Sequence, residues 1–226
     1  MRDYVTVKVD PQVPPGEVSI SDITGTGDPA KKVSKISTRN SASIAALSVM
    51  KKLNIRSYGL SLVLEKNIPL GIGLGSSAAS AAAATFAVNE LFGSKLAKND
   101  LVESADIALA IMGSFVLVRS NDTPSKLEFP SEEKLCFALA MPTPMHANSR
   151  AVYSDRIIDA VKKVALKAGA LGCTISGAGP AIVAVADDKE KAREIGQEMV
   201  EAFKAEGDLK VVVYYRKPDR VGAGLA

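Results

Sequence analysis

The 226-residue chain has no tryptophan, one histidine and two cysteines, and only 5% of its residues are aromatic. Each scarcity narrows the classes of function. With His146 as the sole histidine, a zinc site is not expected, and a Ser-His-Asp triad would depend on that one residue. His146 stands among Pro142, Pro144 and Asn148 and reads as a loop histidine. Cys136 and Cys173 lie in apolar runs, with neither metal-ligand spacing nor a disulfide framework. They are expected as buried small hydrophobes in a reducing compartment. No apolar run is long enough to span a bilayer, the alanine-rich Ala78–Val88 included, so no membrane partner is expected. Met1 to Val5 lead straight into strand-like alternation, without the pattern of a signal or transit peptide. A formal net charge of +3, spread along the chain, argues against a nucleic-acid partner and modestly favours a small anionic ligand.

What is present is a globular composition, 47% hydrophobic and 23% charged, with a core to be built from Ala, Val, Ile and Leu. Alternation predicts strands at Tyr4–Val9 and Tyr58–Lys66, the latter with Leu60, Leu62 and Leu64 on one side, and a weak strand at Val18–Ile20. Residues 24–38 read as a loop. A helix is expected over Asn40–Leu53, capped by Asn40 or Ser41, and a central, buried one from the serines at 76 and 77 to about Phe92. Asn99–Met112 reads as a helix, Phe115–Arg119 as a strand, and Asn121–Ser131 as a polar connector at a domain boundary. The second half has a regular order. Strands at Leu135–Met141, Cys173–Ser176, Ala181–Ala186 and Lys210–Tyr215 alternate with helices at Asp155–Ala168 and Asp188–Glu206. That β-α-β-β-α-β order is ferredoxin-like.

Between the strand ending at Lys66 and the buried helix lies Pro69-Leu70-Gly71-Ile72-Gly73-Leu74-Gly75-Ser76-Ser77. Three alternate glycines let the backbone turn tightly and approach a ligand. A helix start behind them offers unpaired N–H groups and the positive end of the dipole, an anion site suited to phosphate. No Lys follows the last glycine, so the loop is not Walker A, and the spacing is not that of the dinucleotide fingerprint. A second segment, Gly172-Cys173-Thr174-Ile175-Ser176-Gly177-Ala178-Gly179-Pro180, is by itself as readily a tight turn between two strands as a second functional loop.

Pro69 to Ala79 resembles the P-x-x-x-G-L-G-S-S-A-A signature of the GHMP kinases, and Gly172–Pro180 resembles their C-terminal glycine motif. Within that family the chain is most similar to the plant-type homoserine kinases, through Val18–Ser21, Arg39-Asn40, Ile44–Ala46, Gly59–Leu62 and Ala110–Gly113. The resemblance implies an α+β fold: an N-terminal domain like the second domain of ribosomal protein S5 over residues 1–130, which binds ATP, and a ferredoxin-like domain over 131–226. It implies transfer of the ATP γ-phosphoryl group to the hydroxyl of L-homoserine. Pro69, Gly71, Gly73, Leu74, Gly75, Ser76, Ser77 and Ala78 would hold the nucleotide, with Ser176, Gly177 and Gly179 from the second motif. Mg2+ would lie near Ser76 and Glu103. Asp106 and Arg150 would be catalytic, Arg150 or Arg156 meeting the substrate carboxylate. A chloroplast stromal location is implied, the alternative being the cytoplasm.

The sequence departs from the family in three places. The family's first motif, of the type P-x-x-x-A-N-L-G-x-G-x-D, has no counterpart. Its H-x-D-N-x-x-P-A segment is reduced to Ala105–Ala110, where Asp106 remains, and a block before the second glycine motif is missing. A lost strand would leave a sheet edge unpaired, which invites association, a homodimer included. A non-catalytic nucleotide-binding relative, a GHMP kinase for another substrate and an RNA-binding module are the competing readings.

Overall fold

The computed structural model describes residues 1–103, 108–113, 115–117, 124–127, 134–143 and 154–226. They form two units. One comprises Met1–Leu70, Gly75–Glu128 and Asp219–Ala226, the other Gly71–Leu74 and Phe129–Pro218. Asp219–Ala226 thus groups with the first unit although it follows the second in the chain, and Ala223 lies on the first unit's core.

In the first unit, β1 (Tyr4–Val9), β2 (Val18–Gly25) and β3 (Leu60–Lys66) form a sheet of order β1-β3-β2. β3 is the centre, antiparallel to β1 with Val7 opposite Leu62, and parallel to β2 with Ile20 opposite Leu62. Flanked on both edges, it carries the expected Leu60, Leu62 and Leu64, all at most 1% exposed. β2 runs on to Gly25, past the Val18–Ile20 of the sequence reading and into the supposed loop. An irregularity between Ile20 and Asp22 resets its register, so its polar end pairs with β3 without an apolar pattern to announce it.

Two helices cover the sheet. α1 (Ser41–Lys52) is capped by Asn40, whose Oδ1 accepts from the Ala42 N–H at 3.0 Å. α2 (Ser76–Leu91) packs Ala81, Ala82, Ala84 and Val88 against Ala42, Ala45, Ala46 and Val49 of α1 in one core. Such small side chains let two helices approach closely. Thr85, fully buried in α2, returns its hydroxyl to the Ala81 carbonyl at 2.7 Å, which removes the cost of an unpaired donor. Short helices α3 (Lys98–Glu103) and α4 (Ala108–Met112) follow where one helix was expected, with 104–107 outside the described residues. β4 (Phe115–Leu117) pairs antiparallel with β5 (Ser125–Leu127). The connector reading of 121–131 therefore missed a strand, because β5 is exposed throughout and has no alternation.

The second unit is built from β6 (Cys136–Pro142), α5 (Asp155–Lys167), β7 (Gly172–Ile175), β8 (Ile182–Ala186), α6 (Lys189–Gly207) and β9 (Val211–Arg216). Its antiparallel sheet has the order β7-β8-β6-β9, which is the ferredoxin-like arrangement. Ala192, Ile195, Met199 and Phe203 of α6 are all fully buried, as their spacing predicts. On α5 the buried row is Ile157, Val161 and Ala165, with Ile158 and Ala168 partly buried beside it. Asp188 caps α6 by accepting from the Lys191 N–H at 2.7 Å. Ser154 stands at the cap of α5, but its side chain makes no cap bond. No described helix is long and apolar enough to cross a membrane.

Candidate phosphate site

Gly71, Gly73 and Gly75 all have positive φ, at 73°, 83° and 71°. Left-handed backbone at every second position is what glycine alone adopts cheaply, so the spacing sets the loop's shape directly. At Gly73 there is a second requirement, because a Cβ there would overlap the carbonyl oxygen of Ser176. At Gly71 and Gly75 a Cβ would meet no atom of the described residues within 4 Å.

The structure brings the two glycine motifs together. Ser176 Oγ donates to the Gly73 carbonyl at 2.9 Å, and the Ala181 N–H donates to the Ile72 carbonyl at 3.2 Å. Ile72 is 5% exposed and packs with Met141 and Ala181, with Leu74 and Tyr214 beside them. In the returning turn the Gly179 N–H bonds the Ser176 carbonyl at 2.9 Å, and Gly177, at φ 54°, faces the Gly73 carbonyl. Within Gly172–Pro180 the chain forms a tight turn between two strands, and that turn also grips the first loop.

Beyond Gly75 the chain enters α2. Gly75 is the cap residue, and among the described residues no side chain caps that end. The first-turn amides are thus left for another acceptor, at the positive end of a 16-residue helix. Ser77 is exposed at this end, whereas Ser76 is 6% exposed and donates its hydroxyl to Asp3 Oδ2 at 2.7 Å. The Ser76 hydroxyl is thus engaged with Asp3, while Ser77 faces out.

Asp3, Lys66 and Ser80 were not singled out from sequence. Asp3 Oδ1 accepts from the Asn67 and Ile68 N–H groups at 2.8 and 2.9 Å. Its Oδ2 accepts from Ser76, from Ser80 at 3.1 Å and from Lys66. Lys66 Nζ also donates to the Ser76 carbonyl at 2.7 Å and to Ser80 Oγ. The side chains of Asp3 and Lys66 are 0% and 3% exposed. Burial opposes the charge on Asp3, but hydrogen bonds from Lys66, Ile68 and Ser76, with the charge of Lys66, hold its carboxyl below the ordinary value of 3.8. The signal available in the sequence was the company these residues keep: a Lys closing a leucine strand and a Ser inside an alanine helix.

Of the remaining expected site residues, Pro69, Leu74 and Ala78 lie on the loop or in the first turn of α2, half-buried. Glu103 ends α3, its side chain outside the described residues. Asp106, Arg150 and His146 also lie outside them. Arg156 is exposed on α5 and gives Nε and Nη2 to Glu206 Oε2 at 3.0 and 2.8 Å, a surface ion pair. Among the described residues, no three His, Cys, Asp or Glu side chains converge as metal ligands. A cleft of about 590 Å³ along α1, lined by Gly16, Ile44 and Lys51 among others, includes none of the loop residues.

The family model described as GHMP kinases N terminal domain matches residues 40–116, and the GHMP kinases C terminal model matches 133–205. The homoserine kinase of Arabidopsis thaliana is 46% identical over all of this chain and 77% of its own length. That alignment spans 289 positions against the 226 residues here, so the relative carries internal stretches that this chain lacks. The homoserine kinase of Chlorobium phaeovibrioides is 31% identical over 83% of this chain and 79% of its own length. The crystal structure of the homoserine kinase from Cytophaga hutchinsonii superposes with a TM-score of 0.76 at 28% identity, covering 97% of this chain and 87% of that one.

Proposed function

The chain belongs to the GHMP kinase family, and we propose that within it the protein is a homoserine kinase, moving the γ-phosphoryl group of ATP to the side-chain hydroxyl of L-homoserine. The homoserine oxygen forms the new bond to the γ-phosphorus and gives up its proton to water as the bond to the β-phosphate bridging oxygen breaks, giving O-phosphohomoserine, ADP and a released proton. The observation that carries this reading is the start of α2 behind Gly75, which no side chain caps among the described residues. In phosphoryl transfer the protein mainly positions groups and neutralises charge. Backbone amides at Ser76, Ser77 and Ala78 would meet phosphate oxygens, with the α2 dipole favouring the charge.

Mg2+ is the metal we infer, supplying charge neutralisation on the phosphates when bound. Because the nucleotide phosphates would supply much of its ligand set, one carboxylate and a hydroxyl would suffice on the protein side. Ser77, exposed at the loop, is the hydroxyl the geometry favours, and Glu103 is the carboxylate the family resemblance implies. Asp106 and Arg150 retain the substrate-side roles of that resemblance.

The family supports division into an ATP-binding domain over 1–130 and a second domain over 131–226. The plant relative supports a chloroplast location. β1 and β2, at the edges of the three-stranded sheet, are where two copies would associate.

The test is ADP release by the purified chain with MgATP, with and without L-homoserine. Release that depends on homoserine and is lost on changing the exposed Ser77 to a bulky residue, with the fold retained, supports the reading. ATP binding without turnover replaces it with a non-catalytic nucleotide-binding relative, the reading favoured by the stretches missing from the alignment.

A further inference from the structure

We propose that Asp3 is a positioning residue for the nucleotide phosphates, acting through Ser76 and Ser80 to set the direction of the first turn of α2. The inference rests on the nucleotide reading of the glycine loop and assigns what fixes the first turn of α2. A segment with positive φ at Gly71, Gly73 and Gly75 has no side chain at those positions to hold its own direction. Its exit into α2 must therefore be fixed from elsewhere.

Asp3 does this with one carboxylate. Oδ1 takes the N–H groups of Asn67 and Ile68, where the chain leaves β3. Oδ2 takes the hydroxyls of Ser76 and Ser80, which lie one turn apart on the same face of α2. The start of β1, the end of β3 and the start of α2 are thereby tied at a single point. Lys66 grips the same turn through the Ser76 carbonyl, so rotation of the helix start breaks bonds to both members of the pair. Its charge also offsets that of Asp3, so the carboxylate does not cancel the positive potential at the helix start.

Stability alone gives little reason for this arrangement. A buried ion pair is commonly no more stabilising than apolar side chains of the same volume. Apolar packing would hold helix to sheet, but it would not fix the angle of the amides. A directional network does, and phosphate binding depends on that angle.

The test uses the full chain and the variants Asp3→Asn and Ser80→Ala, with steady-state KM for ATP and for homoserine, kcat, and calorimetric titration of ADP in magnesium chloride. Asp3→Asn is expected to weaken ADP and raise KM for ATP about tenfold, the scale of one charge-assisted hydrogen bond. KM for homoserine should stay within about twofold. Ser80→Ala, which removes only a hydroxyl and carries the test if Asp3→Asn does not fold, should shift the same two quantities about threefold. Ser80→Thr should restore them. The proposal is overturned if folded variants keep the parent ADP affinity, if both KM values rise together, or if only kcat falls, as a smaller active fraction would produce. A parent protein that neither binds ADP nor phosphorylates homoserine overturns the functional reading, and this inference with it.

Discussion

Ser176 donates its hydroxyl to the carbonyl of Gly73 at 2.9 Å across 103 positions of sequence. The bond joins two glycine motifs that, taken singly, each resemble an ordinary turn. At the same point the backbones approach so closely that Gly73 has no room for a side chain. The loop's shape is therefore set both by its own glycines and by the turn that faces it.

Gly73→Ala should be strongly destabilising, because the new Cβ both strains a φ of 83° and overlaps the Ser176 carbonyl. The expected loss is on the order of 2–4 kcal/mol, measured as a fall in the urea midpoint at unchanged slope. Gly71→Ala has similar φ but, among the described residues, open space beside it. It should cost only about 1–2 kcal/mol while raising KM for ATP tenfold or more, since that space is where the phosphates would lie. Equal stability losses in the two variants would show that the close approach at Gly73 is not what constrains it.

Ser76 and Ser77 are adjacent but should behave differently. Ser76→Ala takes a donor from buried Asp3, and leaving a buried charged group short of a partner costs about 1–3 kcal/mol, visible as a lower Tm. Ser77→Ala, at an exposed position, should leave Tm within about 1 °C and lower kcat/KM for ATP instead. A Tm loss for Ser77→Ala larger than that for Ser76→Ala would reverse the assignment of the two hydroxyls.

Most of the architecture was legible because its cores are patterned. Leu60, Leu62 and Leu64 alternate on β3, and Ala192, Ile195, Met199 and Phe203 recur at helical spacing on α6, so burial follows from period alone. The glycine loop was legible because unusual φ demands an unusual residue. What escaped notice depends on partners far away in sequence. β5 is three exposed residues defined only by pairing with β4, and the polar end of β2 is placed by a register shift against β3. Asp3, between Arg2 and Tyr4, looks like a surface carboxylate until folding puts Lys66, Ser76 and Ser80 around it.

Cys173 should be a slow thiol. Burial pushes it up to about 11, only partly opposed by Lys162. At pH 7.5 the thiolate fraction is then on the order of one part in a few thousand. Iodoacetamide should label the native protein far more slowly than the protein in guanidinium, with the native rate rising about tenfold per pH unit between 7.5 and 9.5. Native labelling of half-buried Cys173 as fast as that of a free cysteine would show that its thiol is not held above the ordinary value.

The Asp3 carboxyl lies below 3.8 in the folded protein and near that value when unfolded, so its ionised form stabilises the fold. The sign follows directly: the contribution is complete above pH 3.8 and is lost as pH falls through the lower, folded value. From about pH 5 to 7 Asp3 itself adds no pH dependence to the stability difference between the parent and Asp3→Asn, since it is ionised in both states there. Below 3.8 the difference should narrow, because acid protonates in the parent the same group that the variant has already neutralised. Urea unfolding at stepped pH reads this out. A difference that widened towards acid would mean that the carboxyl is held above its ordinary value, with burial outweighing the hydrogen bonds from Lys66, Ile68 and Ser76.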